Sequence, residues 1–178
     1  MALQIFKIAE SIVSTPQTSV TFSSIPQNYT DLLIYVSARS NRASGADNIT
    51  MSLNGSTSNV TWKLIYTDGT NIATASGTNN SFVYVTGANA TSNSFGNSKI
   101  YIPNYNSSTN PKIINMDGAA ANNSTSDSWG GIDAVLWNPA TQAAITSIGF
   151  GVYNGTGYLT NSAFTIYGIL WGIIDKCP

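Results

Sequence analysis

Arg39 and Arg42 are the only close pair of cations in the chain, in the segment Ser-Ala-Arg-Ser-Asn-Arg-Ala that closes an apolar run. A guanidinium fork suits bidentate pairing with a carboxylate. The pair therefore reads either as a grip on a partner's acid or as an internal ion pair with Asp31 or Asp47. Asp127 and Asp133 flank Trp129, and Trp137 follows. A glycosidase needs two carboxyl groups flanking the scissile bond, and this cluster could stack a sugar ring, but loop acids near a core tryptophan are the plainer reading. Trp129 and Trp137 remain candidates for a glycan-stacking platform. Asp47, Asn48 and Asn54 offer oxygen ligands of the kind calcium takes, without a cluster of carboxylates to bind it tightly.

The rest of the catalytic vocabulary is missing. The sequence has no histidine and one cysteine, Cys177. That removes the Ser-His-Asp and Cys-His arrangements, the commonest zinc ligand and any intrachain disulfide. No phosphate loop, dinucleotide fingerprint or EF-hand pattern is present. The expectation is a protein that is not an enzyme and holds no cofactor or metal.

Charged residues make up 8% of the chain and the net charge is −1, against the usual quarter or so. The polar surface must be built from Asn, Ser, Thr and Gly, which favour turns over helix interiors. Without a basic stripe or a polybasic segment, neither nucleic acid nor membrane is an expected partner. A surface so poor in charge gives little mutual repulsion between copies, which favours a chain that works inside an assembly. The opening Met-Ala-Leu-Gln-Ile-Phe-Lys lacks the charged and long apolar regions of a signal peptide. The Asn-x-Ser/Thr triplets at Asn48, Asn59 and Asn123 follow from the composition.

Any site must be positioned by strands, because the dominant hydrophobic period is two. Asp31–Arg39 places Leu32, Ile34, Val36 and Ala38 on one face; Asn48–Asn54 does the same with Ile49, Met51 and Leu53. Ser19–Ser23, Ser147–Val152 and Ser162–Leu170 alternate likewise, and further strands are expected at 3–13, 60–66, 81–86, 98–103, 112–116 and 132–137. Turn dipeptides such as Asn54-Gly55, Asp68-Gly69 and Asn154-Gly155 punctuate them. The stretches 67–81, 87–98, 104–110 and 119–128 are low in complexity and read as loops. The expected fold is all-β, an antiparallel β-sandwich or jelly roll, over residues 1–178 as a single domain.

The segment Phe22–Arg39, Phe-Ser-Ser-Ile-Pro-Gln-Asn-Tyr-Thr-Asp-Leu followed by an apolar strand and Ala-Arg, resembles the opening of small structural proteins of tailed bacteriophages. The turn Asn54-Gly55, the strand Asn59–Leu64, the step Tyr101-Ile102-Pro103-Asn104-Tyr105 and the closing segments Ile145–Ile148 and Phe164–Gly168 resemble successive motifs of the same proteins. The chain departs from them after Gly168, where Leu170-Trp171-Gly172-Ile173-Ile174 replaces basic residues.

The resemblance implies a virion component on the exterior of the head or tail. The expected role is a capsid decoration or cement protein, a homotrimer on the outer surface of the head that bridges the major capsid protein. Ile166, Tyr167, Ile169, Trp171 and Ile173 are the expected subunit contact, and Leu3, Ile5 and Phe6 the expected capsid anchor. The alternative is a tail-fibre or receptor-binding domain that takes a host glycan on Trp129 or Trp137.

Overall fold

A computed structural model describes residues 2–67, 70–80, 82–121, 123 and 129–172. Its strands are β1 (Ala2–Ile12), β2 (Ser19–Phe22), β3 (Asp31–Ala38), β4 (Ala46–Leu53), β5 (Val60–Thr67) and β6 (Ile72–Thr78). They continue with β7 (Phe82–Thr86), β8 (Gly96–Pro103), β9 (Lys112–Ala120), β10 (Trp129–Trp137), β11 (Ile148–Val152) and β12 (Ala163–Gly172). No helix occurs among the described residues.

The strands form two antiparallel sheets. The larger has the order β1-β12-β3-β8-β9-β10-β5-β6 and the smaller β2-β11-β4-β7. They pack face to face as a β-sandwich. Leu32, Ile34 and Ile100 from the larger sheet meet Ile49, Met51 and Phe150 from the smaller, all at most 1% exposed. Phe164 stacks on Phe150 with ring centres 5.4 Å apart and meets the edge of Tyr158 at 5.0 Å. The alternation in β3 and β4 is the one the sequence dictates.

The asparagine-rich composition has a backbone cause. Among the described residues, every non-glycine residue with positive φ is an asparagine except Ser24. Asparagine tolerates the left-handed region better than other residues with a Cβ. Asn54 (φ 51°) and Gly55 (φ 79°) make the two-residue turn after β4, closed by reciprocal Leu53–Ser56 backbone hydrogen bonds.

The structure departs from the sequence reading at β6, which lies inside the stretch 67–81 expected to be loop. Its side chains Ala73, Ala75 and Gly77 are too small to announce a buried face. Pairing along β5 makes it a strand, and Gly77 gives the Trp62 indole its room: a Cβ there would lie 2.7 Å from the ring.

The ring stack at the centre of the sandwich yields a first prediction. Phe150→Ala should cost about 3–5 kcal/mol, read as a lower urea midpoint with an unchanged slope.

Candidate functional site

Several of the motif residues converge on one end of the sandwich. Asp31, at the start of β3, is 4% exposed. Its carboxylate accepts from the Tyr101 hydroxyl (2.7 Å), the Trp171 indole N–H (2.7 Å) and the Asn104 backbone N–H (2.9 Å). The Tyr105 hydroxyl donates to the Pro26 carbonyl, and the Gln27 side chain donates to the carbonyls of Ile25 (2.8 Å) and Ile145 (3.0 Å). Tyr29 lies flat under Gly168, where any Cβ would enter its ring. Segments about 140 residues apart thus interlock, and their polar atoms hold one another.

The other end is held by Arg39, which is 6% exposed. Its fork donates to the carbonyls of Thr91 (2.5 Å), Ser94 (3.1 Å), Ala88 (2.9 Å) and Ala90 (2.8 Å). This orders the stretch 87–95 between β7 and β8. Lys112 does the same for the stretch 104–110, through Ser107 (2.8 Å) and Asn110 (2.6 Å). Two low-complexity loops are therefore wrapped around buried cations that carbonyl dipoles, rather than carboxylates, satisfy.

Several expected site residues are placed differently by these contacts. Among the described residues Arg39 pairs with no acid; it is a loop anchor. Arg42 makes the internal pair, with Asp47 at 3.7 Å and the Ala46 carbonyl at 3.2 Å. Asp47 also accepts from the backbone N–H groups of Asn48, Asn154 and Gly155 and so fixes the turn at 153–156. Asn54 Oδ1 is taken up by Thr146 and Ser147.

Trp137 is 4% exposed, with the Lys112 ammonium 5.8 Å from its ring centre, so it offers no face to a sugar. Trp129 is half-buried and tilted against Tyr84. Asp133 points inward and is 2% exposed, and Asp127 lies outside the described residues.

The apolar expectations divide by strand face. Ile166 is fully buried and Ile169 is 5% exposed, so neither is available to a neighbouring subunit. Ile166 belongs to the inward set with Phe164; period two puts it on the opposite face from Tyr167. Tyr167 is half-buried against the edge of Tyr35, and Trp171 is 48% exposed. Ile173 lies outside the described residues. Leu3, Ile5 and Phe6 are exposed on β1, the free edge of the larger sheet, and Phe6 tilts onto Tyr29 at 5.9 Å.

The sequence reading missed a second apolar surface. Ile65, Ile72, Ile113 and Ile132 are 59–83% exposed on the outer face of the larger sheet. The signal was present: Val135 and Trp137 face inward, so alternation turns Ile132 outward.

No protein-family model matches the sequence, and no curated protein does. One solved structure, described as "Structure of infectious bursal disease virus Gx strain", aligns with 94% of this chain and 39% of its own at 12% identity. Its TM-score of 0.12 carries no argument about fold or function.

Two predictions follow from the buried polar groups. Arg39→Lys, which keeps the charge but loses the fork, should cost about 2 kcal/mol or more as carbonyls lose their donors. Limited proteolysis should then cut first within 87–95. The second concerns alkaline pH. Burial and the Asp31 hydrogen bond raise Tyr101 to about 12; burial, with Tyr66 and Asp133 nearby, raises Tyr84 to about 12. Burial also raises Tyr105 and Tyr158. The folded chain holds these protons more tightly than the unfolded chain. Their contribution is complete below pH 10 and is lost as pH climbs from 10 towards 12. Lys112, lowered by burial, has the opposite sign, one such group against four tyrosines. The urea midpoint should fall between pH 9.5 and 11.5, with phenolate absorbance rising in step with unfolding.

Proposed function

We propose that the chain is a structural subunit of a virus particle: a jelly-roll capsid decoration protein that binds the outer surface of a phage head as a homotrimer. The observation that carries the proposal is the contrast between its polar and apolar groups. The motif residues that could do chemistry are engaged in holding loops, while large apolar side chains are exposed on the rigid sheets. A body of that kind works through its surfaces.

The strand order supports the jelly-roll reading. Consecutive strands β2, β3 and β4 alternate between the sheets, β5 and β6 lie in the larger sheet and β7 returns to the smaller. The hairpin β9–β10 stands between β8 and β5 in the larger sheet, and β12 and β1 extend its other side. With those four strands left out, the order β2-β11-β4-β7 facing β3-β8-β5-β6 matches that of two nested Greek keys, which supports the reading. Viral capsid domains use this architecture, as do lectins and cupins, so the fold supports the reading by analogy alone.

The contact surface consists of Leu3, Ile5, Tyr167 and Trp171 on the β1–β12 edge, where Leu3 pairs with Trp171 and Ile5 with Ile169. A glycan-binding tail domain is the weaker reading, because Trp137 is buried.

Mass spectrometry of separated heads and tails from intact particles tests the assignment. Hundreds of copies on the head, together with Ile5→Asp protein that folds but no longer binds stripped heads, is the expected result. A few copies confined to the tail would overturn it.

A further inference from the structure

The outer face of β6, β5, β10 and β9 is the largest feature left unexplained by the fold or by the β1–β12 edge. Each of these strands presents four outward positions in register, with Ile132 beside Ile65, and Leu136 beside Ile113. The patch measures roughly 19 Å across the strands and roughly 24 Å along them. Among the described residues, Lys63 and Asp117 are the only charged ones on it. Adjoining shallow depressions of about 590, 630 and 480 Å³ run across it, one of them floored by Gly118, Gly130 and Ala119.

We propose that this face binds a second copy of the chain, sheet against sheet, about a twofold axis. Area is the first argument. The patch and its rim on β8, where Tyr101 and Lys99 lie, span roughly 580 Å² in projection, which with side-chain relief is of the same order as the ~800 Å² of accessible surface that each partner buries in a stable interface. The second is charge. Lys63 is exposed and makes no ion pair among the described residues, whereas Asp117 holds Lys99 at 3.0 Å on the opposite flank. Lys63 and Asp117 lie on either side of β10, two strand spacings apart and one two-residue step along.

A twofold axis in the contact plane, perpendicular to the line joining them, sets each Lys63 over the partner's Asp117 and each Asp117 over the partner's Lys63. The strands of the two copies then cross at roughly 70°, nearer the orthogonal than the aligned class of sheet packing. The same patch meets itself, as an isologous interface requires. A heterologous protein would leave the coincidence of these two opposite charges without a role.

The proposal does not depend on where the chain sits in a particle, and sedimentation of the purified full chain separates the two. The expected result is a self-associating species whose twofold step is lost in Ile132→Asp, with the dissociation constant raised roughly a hundredfold or more, at an unchanged melting temperature. Lys63→Asp alone and Asp117→Lys alone should each weaken association, and the double exchange should restore it. Three results would overturn the proposal. One is a wild-type monomer at tens of micromolar. Another is association that survives Ile132→Asp but is lost in Leu3→Asp, which would leave the edge contact of the proposed function intact. The third is a double exchange no better than either single one.

Discussion

The structure depends on the meeting of two apolar sheet faces of unequal size. The larger sheet has twice as many strands as the smaller, so the smaller cannot cover all of it. Where the two overlap, Leu32, Ile34, Ile100, Ile49, Met51 and Phe150 are removed from water almost completely, at about 25 cal/mol for each Å² of apolar surface. On the side turned away from the smaller sheet, β5, β6 and β10 keep the strand alternation and present isoleucine to water. The same period of two that builds the core therefore also builds an exposed apolar surface. An exposed surface of this kind on a rigid sheet is a feature of proteins that work by contact.

Scarcity of charge shapes the rest. One end of the sandwich buries the Asp31 carboxylate and surrounds it with three neutral donors from two distant segments, Tyr101 and Asn104 on one and Trp171 on the other. Arg39 and Lys112 are buried in turn among backbone carbonyls. A buried ion without hydrogen-bond partners would be prohibitively unfavourable. Here the partners are loop carbonyls that would otherwise need water, so each ion orders a loop while being satisfied by it. Polar loops that look featureless in sequence become fixed parts of the body in this way. Asparagine contributes by occupying left-handed turn positions where most side chains would be strained.

The proposed role in a repeated assembly draws on both properties. The groups with chemical potential are engaged internally, and the exposed apolar groups are presented by sheets rather than by mobile tips. A component that is copied many times and packed against neighbours needs such a body, together with a surface charge low enough not to oppose close approach.

Local sequence determined the strands and their inner faces. Alternation in β3 and β4 named Leu32, Ile34, Val36, Ile49, Met51 and Leu53 as core, because a half-buried strand has only two faces to choose between. It also determined the Asn54-Gly55 turn, whose backbone demands positive φ at both residues. It did not reveal β6, whose small side chains carry no periodic signal and whose strand conformation comes from its neighbour. Nor did it place Arg39, Asp31 or Trp137: a lone arginine, aspartate or tryptophan looks the same in sequence whether it binds a partner or anchors a loop. Partners on segments 50 to 140 residues away settle that difference, and only the tertiary structure brings them together. Ile166 shares the parity of Phe164 in the sequence, which already opposes it to Tyr167, and the structure buries it with Phe164 in the core.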